Sequence, residues 1–242
     1  MSSTEPGAAV VLLHVDEHLC VAWKPGGMPV QPDPTGDPSL LELVAVQLNT
    51  KELGLVHRLD RPVSGAVVIS RDADVLRGLN EQFRKREVEK RYWAIVEGVE
   101  RLGPPGVEQV LEDLITRDGR GKRARISASG IGVEEELSRL RFTVLAKGER
   151  LALLEVVPEG GAFHQIRAQL SKAGFPIRGD VKYGARRGER DRTIALHARS
   201  LAFVHPITGR PVHTVAPPPE TPVWQAMQRL LSGGPDDCAA RG

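Results

Sequence analysis

His57-Arg58-Leu59-Asp60-Arg61-Pro62-Val63-Ser64-Gly65, followed by Ala66-Val67-Val68-Ile69-Ser70, is the stretch from which the rest of the chain is best read. The run Ala66 to Ser70 is apolar and rich in β-branched side chains, which predicts a buried strand. The residues before it are irregular. Pro62 restricts φ and Gly65 supplies freedom at the junction, so they predict a tight loop anchored on that strand. The loop sets the carboxylate of Asp60 between the guanidinium groups of Arg58 and Arg61. Charge on a loop beside a rigid strand is a common setting for chemistry. Spacing alone leaves equally open a structural Asp–Arg pair that stabilises the turn.

Outward from this loop, Val10–Val15 and Leu19–Lys24 predict two strands around the polar turn Asp16-Glu17-His18, and Pro25-Gly26-Gly27 ends the second. Ser39 with Glu42 has capping-box spacing for a helix burying Leu40, Leu41, Val44 and Leu48. Asp72 or Asp74 starts a second helix with Leu76, Leu79 and Phe83 at helical spacing and a basic end that complements the macrodipole. Tyr92–Val96 is another strand, while Leu102–Gly132 reads as short strands and exposed loops. Leu137–Ala146 and Arg150–Val157 form an antiparallel hairpin around Lys147-Gly148-Glu149. His164–Ala173 is a helix with Gly174 at its C′ position and Pro176 beyond. A second hairpin joins Ala195–Val204 to Val212–Ala216. Thr221-Pro222 opens a last helix carrying Val223, Met227 and Leu230. Strands outnumber helices and several pair as hairpins, so an α+β fold is expected, with a mainly antiparallel mixed sheet flanked by helices and loops.

At 242 residues the chain has length for one substantial core, with 40% hydrophobic, 26% charged and 4% aromatic residues. The expected domain covers residues 10–231, and residues 232–242 a disordered tail. Bulk charge does not announce a polyanion partner: 33 basic and 31 acidic residues leave +2. Local runs do more. Arg84, Lys85, Arg86, Lys90 and Arg91 form one; Arg117, Arg120, Lys122, Arg123 and Arg125 a second; Lys182, Arg186, Arg187, Arg190 and Arg192 a third. Each run alone reads as solvated surface; around one site they would form a phosphate-tracking surface. Cys20 and Cys238 make no C-x-x-C pair, and His197, His205 and His213 lie at steps of eight, which is no local ligand spacing, so neither disulfide framework nor metal centre is expected. There is no phosphate-cradling G-x-x-x-x-G-K-[ST] loop. The first nine residues resemble no targeting peptide and no apolar run has membrane-spanning length, making the cytoplasm the default.

His57 to Gly65 resembles the H-R-L-D-x-x-T-S-G signature of the RluA-type pseudouridine synthases. Further segments match in order: Lys24-Pro25 through Met28 and Val30, Lys90-Arg91-Tyr92 through Gly98, His164-Gln165-Ile166-Arg167, Gly174 through Gly179-Asp180 and Tyr183-Gly184, and Leu196-His197-Ala198. The likeness runs from Val10 to Leu231. It implies the pseudouridine synthase catalytic fold, an isomerase acting on uridines of tRNA or rRNA, and no cofactor. It also implies that no protein partner is obligatory and that the enzyme is a monomer. By this resemblance Asp60 is the catalytic carboxylate, and Arg58 helps displace the target nucleotide from its stack. Tyr92 lies against the uracil, Ile166 forms an apolar wall, and Arg167 pairs with Asp60, where a nearby guanidinium lowers a carboxylate pKa by roughly 1–3 units.

Departures are Val63 where the signature has Thr, Gly160-Gly161-Ala162-Phe163 where Thr-Gly-Arg-Thr is frequent, and Gln31 in place of a frequent His. Relatives often carry an N-terminal RNA-binding module. Here the pattern begins within the first residues, so substrate choice is expected to come from the catalytic domain, above all from Arg117–Arg125. Two other readings are a catalytically silent RNA-binding protein of the same fold and a metal-dependent hydrolase using Asp60 and the histidines.

Overall fold

The computed structural model describes residues 9–117, 123–126 and 135–233. Along the chain run β1 (Leu12–Val15), β2 (Leu19–Lys24), α1 (Leu40–Gln47), β3 (Gly54–Leu55), β4 (Ser64–Ser70), α2 (Ala73–Arg84) and β5 (Glu89–Val96). Then come β6 (Glu108–Arg117), β7 (Ala124–Ile126), β8 (Glu135–Lys147), β9 (Ala152–Pro158), α3 (Gln165–Lys172), β10 (Leu196–Val204), β11 (Pro211–Val215) and α4 (Pro222–Leu231). The architecture is α+β. The chain divides into two compact units, the first formed by the residues up to Lys90 together with Ala198–Pro217, the second by Arg91–His197 with the residues from Pro218 onward. The expected tail from residue 234, and Arg120 and Lys122 of the second basic run, lie outside the described residues.

In the first unit the strands follow the order β1-β2-β4-β10, with β11 on β10 and β3 on β4. The β1–β2 turn closes because the Asp16 carboxylate accepts the N–H groups of His18 (2.8 Å) and Leu19 (2.9 Å), as short acidic side chains do in turns. All seven residues of β4 are buried, and its register sets Gly65 opposite Lys24 and Val68 opposite Val21. The α1 capping box forms as expected, with Ser39 N–H donating to Glu42 Oε2 at 2.9 Å and Glu42 N–H to Ser39 Oγ at 3.3 Å. Leu40 and Val44 are fully buried, Leu41 and Leu48 partly. Asp72 caps α2 through Val75 N–H at 2.8 Å. On α2 the fully buried residues are Val75 and Leu79. Leu76 and Phe83 are half-buried, so the core-facing stripe is turned from the expected one. Val75, Leu79, Val21, Val68, Leu201 and Phe203 make the centre of this core.

In the second unit the order is β5-β9-β8-β6-β7, antiparallel throughout. The β8–β9 hairpin falls where expected. The reading of Leu102–Gly132 as short strands needs correction: β6 is a continuous strand of 10 residues, paired from Glu108 opposite Thr143 to Thr116 opposite Glu135. Its charged open face hid the alternation, and a long partner strand supplies the stabilisation that the segment's own sequence does not advertise. The open face carries a ladder of ion pairs. Arg141 meets Glu108 at 3.1 Å and Glu159 at 3.5 Å, Arg139 meets Glu159 at 3.7 Å, and Arg91 meets Glu155 at 2.7 Å. On the other face lies α3, whose residues from Gln165 to Leu170 are all buried, ended by Gly174 at φ 92° as its C′ glycine. In α4 the buried anchors are Trp224 and Met227.

Candidate active site

In the first unit the loop before β4 is built to hold one carboxylate still. Asp60 C=O accepts the N–H of Val63 at 3.0 Å, which closes a turn across Arg61-Pro62. Arg61 is a staple of this loop. Its Nε donates to Gly27 C=O at 2.8 Å while Gly27 N–H donates to Arg61 C=O at 2.8 Å, a reciprocal pair that ties the loop to the Pro25–Gly27 turn. Its Nη1 reaches Asp33 Oδ2 at 3.1 Å and Thr35 Oγ1 at 2.8 Å, and Nη2 pairs with Asp37. Of the two arginines flanking Asp60, Arg61 is thus structural and Arg58 is exposed. Gly65 has φ 125°, and a Cβ there would lie 2.4 Å from the carbonyl oxygen of Ala198, so only glycine fits this junction. Val63, the departure from the signature, is buried at 2% exposure. A methyl serves that site without leaving a hydroxyl to satisfy.

Beneath the loop sits Lys24, 0% exposed, its ammonium donating to the carbonyls of Pro25 (2.9 Å), Met28 (2.8 Å) and Arg61 (3.1 Å). Burial pulls its pKa down to about 7, the negative charge of Asp60 works against that fall, and the Arg61 charge adds to it. Three carbonyl acceptors fix the ammonium group, so Lys24 is a scaffold for the loop and, when protonated, a positive charge felt by Asp60.

His57 stacks on Phe83 with centroids 4.9 Å apart, and its Nε2 accepts Val68 N–H at 3.1 Å. This requires a neutral ring with the proton on Nδ1. Burial, and secondarily the Lys90 charge, push its pKa from 6.5 to about 3. Folded protein therefore binds fewer protons than unfolded chain between those values. The stability from His57 is complete above pH 6.5 and is lost as pH falls through 6.5 toward 3, by up to about 1.4 kcal/mol per pH unit. Urea unfolding at stepped pH should show this slope in the wild type and a shallower one in His57→Gln; equal slopes would place the acid lability elsewhere.

In the second unit Tyr92 lies half-buried on β5 opposite Val156. Ile166 and Arg167 occupy the first turn of α3 at 7% and 5% exposure. Arg167 grips Asp180 bidentately, Nε to Oδ2 at 2.7 Å and Nη2 to Oδ1 at 2.9 Å, and its Cζ lies 4.9 Å from the Tyr183 ring centroid. Asp180 thereby sets the plane of the Arg167 guanidinium. Asp180, Tyr183 and Lys24 stand within matching segments of the sequence, which assigns them no task. A lysine ending an apolar strand, and an aspartate after a positive-φ glycine, were the available signals.

Two of the three histidines at steps of eight have structural partners. His197 packs edge-on to Trp224 at 5.9 Å, and His205 Nδ1 accepts the N–H groups of Ile207 (3.1 Å) and Thr208 (3.2 Å). No cluster of three or more metal-ligating side chains occurs among the described residues. None of their helices is long and apolar enough to cross a membrane.

Comparison with known proteins adds the following. The RNA pseudouridylate synthase family model matches residues 18–172. Ribosomal large subunit pseudouridine synthase C of Escherichia coli K12 is 34% identical over 232 residues, which covers 92% of this chain and 69% of that protein. The protein of the same name from Buchnera aphidicola of Schizaphis graminum is 31% identical over 214 residues, covering 85% and 66%. Among solved structures, human RNA pseudouridylate synthase domain containing 4 superposes with a TM-score of 0.71 at 26% identity, covering 91% of this chain and 92% of that one. Human RNA pseudouridylate synthase domain containing 1 shares the fold, with a TM-score of 0.74 at 24% identity over 92% and 90%. With a carboxylate on a stapled loop and a family match through both units, this chain belongs to the RNA pseudouridylate synthases, enzymes that isomerise uridine within RNA.

Proposed function

We propose that the enzyme isomerises a uridine of large-subunit ribosomal RNA with Asp60 as its catalytic carboxylate. The reaction breaks the C1′–N1 glycosidic bond, turns the uracil and joins C5 to C1′; a proton leaves C5 and one is taken up at N1. Reactant and product are isomers, so no redox or activated group is consumed and no cofactor is called for. An ionised carboxylate serves such a step either by attacking C1′ or by removing a ribose proton from C2′. The observation that carries the assignment is the setting of Asp60, half-buried on a loop held by Arg61 and underlain by the Lys24 cation.

The other roles follow from residue chemistry. Arg167, its plane fixed by Asp180, supplies the guanidinium of the reaction. Tyr92 stacks on the detached uracil, a contact worth about 1–3 kcal/mol, and its hydroxyl assists loss of the C5 proton. Ile166 offers the base an apolar wall. Arg58, exposed on its loop, fills the space left by the nucleotide, whose extrusion costs a few kcal/mol. The enzyme acts in the cytoplasm as a monomer without an obligatory protein partner. The large-subunit assignment follows the names of the relatives that this chain resembles over most of its length.

Pseudouridine mapping across ribosomal and transfer RNA, with and without the gene, tests the reading. One or more large-subunit positions should lose pseudouridine and regain it when the gene is restored. Loss confined to transfer RNA would reassign the substrate.

A further inference from the structure

At the β7 side of the second unit, flat side chains pile up in a way the isomerisation chemistry does not require. The Arg117 guanidinium carbon lies 4.5 Å from the Phe163 ring centroid. The Phe163 ring is stacked on the His164 imidazole at 3.8 Å and 19°. A ring that close leaves no room on its own side, so guanidinium and imidazole occupy opposite faces of Phe163. The base of the pile is rigid. His164 Nδ1 is 2.8 Å from the Tyr183 hydroxyl, which accepts Ala124 N–H at 2.8 Å, and Tyr183 is 2% exposed. His164 itself holds φ 55°, a left-handed conformation rarely kept by a non-glycine residue without a reason in its surroundings. Arg117 ends β6 directly opposite Ala124, so the strand pairing and the stack fix the same residue. The top of the pile, Arg117, is exposed.

We infer that Arg117, seated on Phe163 and His164, is a stacking platform for an unpaired base of the RNA substrate. A guanidinium is planar and weakly hydrated, and its face takes a base while its edge offers N–H groups to phosphate. A long side chain free in solvent would lose its rotamer freedom on binding. Here the aromatic seat has already removed it, so base contact costs less. A cation–π contact at an exposed position is modest by itself, about 0.5–1 kcal/mol. A pile of three layers is more than is needed to tether one surface arginine. The platform gives the chain a contact sensitive to bases, a specificity determinant carried by Arg117 and Phe163.

The inference rests on the enzyme acting on RNA and not on which uridine it takes, and the probes need contain no uridine. Fluorescence anisotropy would compare a short oligoadenylate with a base-free ribose-phosphate oligomer of the same length and charge. Wild type should prefer the oligomer with bases by about tenfold. Arg117→Lys keeps the charge and removes the plane. It should bring the two affinities within about twofold, leave the salt dependence as in wild type, and raise KM for structured RNA. Phe163→Leu, which unseats the arginine, should act in the same direction, with thermal unfolding recorded to confirm that the fold is intact. If Arg117→Lys keeps the full preference for bases, the platform is refuted. It is refuted equally if Arg117→Ala weakens both oligomers alike and lowers the salt slope by about 1, which marks a phosphate contact.

Discussion

Asp60→Asn is expected to reduce pseudouridine formation by about ten-thousand-fold, the upper range for loss of one acid–base or nucleophilic group. The substitution keeps size and the backbone turn through Asp60 C=O and Val63 N–H, so the loop should persist. What disappears is the negative charge. The amide neither attacks C1′ nor takes a proton from C2′. Release of tritium from uridine labelled at C5 reads the reaction, since that hydrogen leaves in every turnover. RNA affinity should stay within a few fold, because one side chain among many contacts is altered without losing shape. Removing the charge also removes the field that opposes the fall of the Lys24 pKa, so Lys24 should titrate lower in this variant. Tritium release near the wild-type rate would take the chemistry away from Asp60.

Arg167→Met should have the second largest effect, and on two readouts. Asp180 is 2% exposed, so removing its partner strands a carboxylate in the interior, a cost of about 3–5 kcal/mol. Against a domain stability of roughly 5–15 kcal/mol that is a large fraction. Asp180→Leu should also destabilise the fold, since a buried guanidinium loses its bidentate partner. Combining Arg167→Met with Asp180→Leu removes both charges and should recover most of the lost stability, as apolar replacements of buried pairs often do. Turnover should stay lost in the double variant, because the guanidinium to which the proposed reaction assigns a role is gone. Urea unfolding reads the first effect and tritium release the second. Recovery of both together would make Arg167 a structural residue only.

Local chemistry was the legible part of this fold. The Ser39–Glu42 box, the Asp72 cap, the Gly174 terminus and the buried β4 run each depend on residues within a few positions, and each is found where it was expected. Features set by distant partners were not legible. The length of β6 depends on β8, 35 positions away in sequence by the Glu108–Thr143 pairing. The division into two units depends on where Ala198–Pro217 returns, which no local pattern encodes. In the site, the loop around Asp60 was visible as charge between Pro and Gly, yet which arginine is the staple was decided by Gly27, Asp33, Thr35 and Asp37. Likewise Phe163 stood out only as a departure, because its neighbour Arg117 lies 46 positions back and meets it through tertiary structure. Trp224, rather than Val223, anchors α4, since the helix phase follows from its packing.

The ion-pair ladder on β5, β6, β8 and β9 changes how an approaching polyanion perceives this molecule. Arg91, Arg139 and Arg141 each have a glutamate within reach, so their fields largely cancel over a Debye length of about 10 Å. That flank is electrically quiet, and nucleic acid drifting past it finds no purchase. The number of counterions set free on binding should therefore fall well short of the total of lysines and arginines, and a titration against salt would count only those cations not already answered by a neighbour.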